Sequence, residues 1–270
     1  MSVAYTAIGW NRNKRRYDAT AAAGAALFIA TFLAVQIAAN PAPRDISIAT
    51  ALIRATGVCA ILLLHIILAI GPACRLDRRL LPLLYNRRHL GVMLFFIALA
   101  HGLLSIVWYH AFGNINPALS LLSANTRFDS LREFPFELLG IAGLLWLFLM
   151  AATSHDFWLK NLTPRIWKTL HMGVYVAYAL LIMHIALGLL QGEHSPVFTI
   201  LLVAGTFSLA ALHLYAGLRE QSRDAAVADT SDWIDACAVA DIPDNRARTI
   251  CLPRGEGAPH GKPERVAIFK

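Results

Sequence analysis

Stretches of about twenty apolar residues recur six times along this chain, and that recurrence decides most of what it can fold into. A helix of about twenty residues crosses a hydrocarbon core roughly 30 Å thick. Inside that core every backbone N–H and C=O must be paired within the segment, so helices are the form such runs take. The runs fall at 19–39, 49–70, 89–110, 136–153, 169–190 and 197–218. With 57% hydrophobic and 15% charged residues, the chain is too apolar for an ordinary soluble domain. The expected fold class is all-α membrane, a six-transmembrane-helix bundle. Pro41 and Pro43 follow the first run, Gly71-Pro72 closes the second, and Asn116-Pro117 lies in the loop after the third. Pro135, Pro164 and Pro196 stand at or near helix starts, where a missing N–H costs little.

The net charge of +7 lies between the apolar runs rather than in one patch, which reads as topology and not as a nucleic-acid surface. Arg12, Lys14, Arg15 and Arg16 precede the first run. Arg75, Arg78, Arg79, Arg87 and Arg88 fill the loop after the second, and Lys160, Arg165 and Lys168 the loop after the fourth. The other side carries only Arg44, Arg127 and Arg132. Twelve against three places both termini in the cytoplasm. Trp10, Trp108, Trp158 and Trp167 fall near the expected interfaces, as an aromatic belt does. The first run is long and lacks a convincing cleavage site, so it is expected to be a retained helix after a cytoplasmic segment 1–18.

Beyond the bundle (19–218) the composition changes. Residues 219–231 (REQSRDAAVADTS) are polar and read as a linker. Asp232–Pro243, Ala247–Pro253 and Glu264–Lys270 look like three short strands among turn residues, a small β-rich segment over 232–270 on the cytoplasmic side. Cys59, Cys74, Cys237 and Cys251 are scattered, with no C-x-x-C pair, zinc spacing or C-x-x-C-H motif, so any haem is held by coordination and packing.

Histidines inside membrane spans are costly unless something uses them. Counted from the inner ends of their runs at 1.5 Å per residue, His101 lies ~18 Å in and His184 ~22 Å in, both in the outer half. His171 lies ~3 Å in, at the inner edge with His89. Two helices with imidazoles at matching depth can hold haem iron by bis-His ligation. The expected axial ligands are His101 with His184 for an outer haem, and His171, with His89, for an inner one. His65, in the inner third of the second run, is a rival inner ligand. His171 and His184 are about 220° apart around a straight helix, so a helix bend, or haems offset sideways, must reconcile them. His65 and His213 also suit hydrogen bonds across helices, and His110, His155, His194 and His260 read as loop or interface residues. Arg54, ~8 Å from the outer end of its run, either snorkels to the interface or pairs with a haem propionate. Gly91, Gly102, Gly173 and Gly188 either admit a flat macrocycle or are ordinary packing residues.

The stretches RRHLGVMLFFIALAHGLLS (87–105) and WKTLHMGVYVAYALLIMHIALG (167–188) resemble the ferric reductase-like transmembrane domain. That family takes in the membrane components of ferric reductases and NADPH oxidases, and the haem-binding membrane subunit of the bacterial periplasmic methionine sulfoxide reductase system, which this chain resembles in particular. The likeness covers roughly residues 50–218. It implies haem b, one or two per chain, in a bacterial inner membrane. His101, His171 and His184 match the family's haem ligands. It implies electron transfer from a cytoplasmic flavin or iron–sulfur donor to an acceptor on the outer side. No dinucleotide-binding glycine fingerprint follows residue 218.

The tail, WIDACAVADIPDNRARTICLP…ERVAIFK, resembles the opening strands of a Rieske-type ferredoxin domain. Such a cluster needs two cysteines and two histidines, which that family supplies as C-x-H and C-x-x-H. Neither pattern occurs here, so the tail is expected to be an incomplete Rieske-like segment without a [2Fe–2S] cluster. The rivals to a membrane electron carrier are a transporter or proton-conducting protein whose histidines line a polar path, and a truncated, non-functional fragment. The first needs further polar groups beside His101 and His184, and Arg54, Gln36 and Glu137 are the few available.

Overall fold

The computed structural model describes residues 10–39, 46–193, 195–228, 236–242, 247–251 and 265–269. The chain divides into two compact units, residues 1–220 and 221–270.

The first unit is helical. In chain order come α1 (Arg12–Ala39), α2 (Ile48–Leu76), a 3-10 segment (Arg78–Asn86), α3 (Arg87–His110), α4 (Pro117–Ser123), α5 (Phe136–Ala152), α6 (Asp156–Asn161), α7 (Pro164–Met172), α8 (Val174–Leu187), α9 (Leu189–Gly192) and α10 (Pro196–Ala228). The ends follow local chemistry. Asn11 accepts from the Lys14 amide at the start of α1, and Ser47 accepts from the Thr50 amide at the start of α2. Asn116 and Thr163 cap α4 and α7, each followed by proline in the first turn.

Five helical stretches are long and apolar enough to cross a membrane: Arg12–Ala39, Ile48–Leu76, Arg78–His110, Arg165–Gly192 and Pro196–Ala225. The remaining apolar helix, Phe136–Ala152, has 17 residues. The chain is an all-α membrane protein in its helical unit. Numerous Leu, Ile, Phe and Val side chains face outward, which is how a bundle meets lipid rather than water.

The core sits on α2. Leu64 and Leu68, one turn apart, are its most enclosed side chains, and α2 contributes Ala60, Ile67, Ile70 and Cys74 beside them. Leu90, Leu94 and Phe95 of α3, Leu147 of α5 and Leu209 of α10 close around that stripe. Helix α2 packs on α1 and α3, α3 on α5, and α5 on α8. Since lipid tails are as apolar as leucine, close van der Waals fit and interhelical hydrogen bonds hold such a bundle.

One apolar run is not a single straight helix. The run expected at 169–190 breaks at Gly173, whose backbone (φ −61°, ψ −7°) ends α7 before α8 begins. The indole of Trp146 lies against Gly173, where a Cβ has no room. The break falls between His171 and His184.

Two boundaries differ from expectation. Residues 219–228, read as linker, continue α10: the segment holds no glycine or proline to stop it, and Arg, Glu, Gln and Ala propagate a helix well. Residues 229–235 lie outside the described residues.

In the second unit, β1 (Ala247–Cys251) pairs antiparallel with β2 (Arg265–Phe269), Ala247 opposite Phe269 and Thr249 opposite Ala267. The strand expected over Asp232–Pro243 is absent from its described part. Residues 236–242 run as extended backbone into a 3-10 turn (Val239–Asp241), with Ile242 buried.

Candidate functional site

Two histidines meet inside the helical unit. His101 comes from α3 and His184 from α8, with ring centroids 6.4 Å apart and planes crossed at 82°. Each ring is fixed through Nδ1, which donates to a main-chain carbonyl of a neighbouring helix. The acceptor is Ile53 of α2 for His101 and Phe136 of α5 for His184, both at 2.9 Å. A carbonyl only accepts, so Nδ1 carries the hydrogen and Nε2 keeps a lone pair. No hydrogen bond from a described residue engages either Nε2. A metal-ligating imidazole is oriented in this way, its second nitrogen held by a carbonyl or carboxylate.

Two glycines make that orientation possible. A Cβ on Gly57 would meet Cε1 and Nδ1 of His101 at 3.0 Å, and one on Gly140 would meet the same atoms of His184 at 2.8 Å. Neither glycine is conspicuous in the sequence, since each lies on a helix other than that of its histidine. The available signal is a glycine one turn after an outer-half residue in an apolar run. The glycines that do draw attention in the sequence lie against neither ring. Gly91 has nothing within 4 Å, Gly102 faces Leu144, and Gly188 lies against the ring of Phe136.

His171 is held within its own helix, unlike the outer pair. Its Nδ1 donates to the Trp167 carbonyl at 3.0 Å, and its ring stacks on the Trp167 indole with centroids 3.9 Å apart. Its Nε2 is buried and has no hydrogen-bond partner among the described residues. His89 is held differently: its Nδ1 meets Oδ2 of Asp18 on α1 at 2.8 Å, and the side chain is 39% exposed. Asn86 and Trp10 also donate to the Asp18 carboxylate. Among the described residues no ring contact joins His89 to His171. His89 instead lines a groove of about 680 Å³ together with Asp18, Arg88, Ser154, His155 and apolar residues of α1 and α3.

The other described histidines are engaged elsewhere. His65 gives Nδ1 to the Ile61 carbonyl and receives the Tyr178 hydroxyl on Nε2 at 3.0 Å. His213 gives Nδ1 to the Leu209 carbonyl and receives the Tyr175 hydroxyl on Nε2 at 3.1 Å. His110 bonds Ser120, and His155 caps α6. His194 and His260 lie outside the described residues. Arg54, next to the carbonyl that holds His101, pairs with Glu193 at 3.3 Å, both largely buried.

Among the described residues no three His, Cys, Asp or Glu side chains gather as a metal site. A pair of imidazoles can supply two ligands to an iron whose other positions belong to a macrocycle. Linear ligation with metal–nitrogen bonds of about 2 Å separates two ring centroids by about 6 Å, which His101 and His184 already do. The residues present thus fit haem.

The chain matches the family described as "Ferric reductase like transmembrane component" over residues 55–182. That segment takes in Gly57, His101, Gly140 and His171, and His184 lies just beyond it. The chain is 31% identical to the protein-methionine-sulfoxide reductase heme-binding subunit MsrQ of Herminiimonas arsenicoxydans over 66% of this chain and 77% of that protein. Against MsrQ of Polaromonas naphthalenivorans it is 32% identical over 55% of this chain and 60% of the relative. It is also 34% identical to the magnetosome protein MamZ of Magnetospirillum gryphiswaldense, over 37% of this chain and 14% of that protein. No solved structure matches.

Proposed function

The chain belongs to the ferric reductase-like transmembrane family, and from that premise we propose that it carries haem b and passes electrons across a bacterial inner membrane, from a cytoplasmic donor to an outer-side acceptor. The carrying observation is the 6.4 Å separation of the His101 and His184 rings, each with Nδ1 tied to a carbonyl and Nε2 open.

His101 and His184 would hold the outer haem. His171, with its buried and unpartnered Nε2, would hold an inner one, with His89, oriented by Asp18, as the candidate opposite it. Haem, when bound, supplies one-electron exchange between ferric and ferrous iron. The chain's own contribution is to hold neutral imidazoles in fixed tautomers, keep water out with apolar helices, and set the surrounding charge. Arg54, next in sequence to the Ile53 carbonyl that holds His101, is suited to a propionate, and it already faces a carboxylate, Glu193.

Six crossings are proposed, with Phe136–Ala152 as the short one: 17 residues is at the lower end of what spans a bilayer. The basic loops favour cytoplasmic termini, and the donor would then be a cytoplasmic flavin or iron–sulfur protein. Purification in mild detergent, followed by a dithionite-reduced minus oxidised spectrum with haem quantified per polypeptide, tests the reading. A b-type spectrum at one or two haems per chain is expected. Haem-free protein from haem-supplied, membrane-inserted expression would overturn it.

A further inference from the structure

The outer site is built twice from one pattern. On the first side, α2 supplies the carbonyl of Ile53 and, one turn later, Gly57, and α3 supplies His101. On the second side, α5 supplies the carbonyl of Phe136 and, one turn later, Gly140, and α8 supplies His184. In both halves histidine and acceptor lie 48 residues apart. In both, acceptor and glycine are four residues apart on the same helix, so the ring lies across the turn that joins them. The second set follows the first at one constant offset, Ile53 to Phe136, Gly57 to Gly140 and His101 to His184.

We infer that α2–α3 and α5–α8 are two copies of one histidine-holding unit, and that Gly57 and Gly140 position the rings of His101 and His184. The inference rests on the haem reading above. Its physical content is steric. A carbonyl in an apolar helix is already bonded along the helix, and an imidazole from another helix reaches it only by lying flat over the next turn. A methyl group on that turn displaces the ring, because 3.0 Å is as close as such contacts come and 2.8 Å is closer. With the ring displaced, the Nδ1 hydrogen bond and the direction of Nε2 change together. With six crossings the two copies begin two crossings apart and so pass through the membrane in the same direction, as repeats related by an axis along the membrane normal do. The crossed ring planes are then a property of two identical holders facing each other across that axis.

The repeat also marks where the likeness stops. At the same offset, the position answering to His171 in the first copy is Arg88, whose guanidinium donates to the Ser154 carbonyl at 3.2 Å. The inner end is therefore not duplicated as the outer one is.

The test uses the full chain purified with haem, with Gly57→Ala, Gly140→Ala and, as control, Gly24→Ala on α1, which meets nothing within 4 Å. Three quantities are read: protein yield in the membrane, the ferric low-spin electron paramagnetic resonance signal, which reports the angle between axial imidazole planes, and the haem midpoint potential. Wild-type yield with a shifted low-spin signal and potential in both cradle variants, larger for Gly140→Ala, and an unchanged control are expected. Signals identical to wild type in both cradle variants would overturn the inference while leaving bis-histidine ligation intact. If wild type shows no bis-imidazole signal, the haem reading itself fails. If Gly140→Ala does not assemble, Gly57→Ala, with the milder contact, carries the test. Loss of both proteins from the membrane would also overturn the inference, since the glycines would then serve helix packing.

Discussion

The Tyr178 hydroxyl closes the second nitrogen of His65 at 3.0 Å, and Thr206 of α10 lies 3.2 Å from the same hydroxyl. The three side chains tie α2, α8 and α10 together at one point. Gly205, beside Thr206, leaves room for the His65 ring. His65 therefore has both nitrogens engaged, unlike His101, His184 and His171. His65→Ala and Tyr178→Phe should leave haem content at the wild-type level and lower stability by about 1 kcal/mol, the usual scale of an interhelical hydrogen bond in a membrane. Haem per polypeptide and thermal unfolding in detergent check the two halves; a loss of haem in His65→Ala would return it to the list of ligands.

Removing either member of the outer pair should abolish the same spectral component. His101→Ala, His184→Ala and the double variant are expected to insert normally and to lack one haem equally, because two ligands that act as a unit are not additive. The measurement is the reduced minus oxidised spectrum per inserted polypeptide. Full haem content in either single variant would refute the pairing.

The inner end predicts an unequal result. His171→Ala deletes a buried, unpartnered Nε2 and should remove a haem component distinct from the outer one. His89→Ala deletes a half-exposed ring held by Asp18, and comparison of the two spectra decides whether His89 is the opposite ligand. Equal losses would make it so. A loss confined to His171→Ala would leave His89 as a partner of Asp18 that fastens α1 to α3.

Deletion of residues 230–270 should leave haem content and spectra unchanged, since the pair and His171 lie wholly within the first unit. Haem quantification on the shortened chain checks this; a loss would mean that the tail contributes to the pocket.

The long apolar helices are legible in the sequence because they depend only on a segment's own length and composition, and five of them are long and apolar enough to cross a membrane. Counting residues matches His101 with His184, whose rings the structure brings within 6.4 Å. What the sequence could not disclose depends on neighbours. His65 and His213 look like His101 on paper. The difference is a tyrosine hydroxyl on another helix, which no spacing rule reports. Gly57 and Gly140 matter only because a ring from elsewhere lies on them. The polar stretch 219–228 reads as a linker by composition, yet without glycine or proline to stop it the helix runs on to Ala228. The strand expected near Ala238 failed for the opposite reason, as apolar alternation outweighed the missing partner that a strand needs.

The atoms that aim the two facing imidazoles are backbone oxygens, which every amino acid carries. No codon change at 53 or 136 short of distorting the helix can delete them. The mutational target of the outer site thus shrinks to four letters, two histidines and two glycines, and drift elsewhere around the pair leaves its aim untouched. Sequence divergence along these helices thus leaves the aim of the two rings in place as long as those four residues stay.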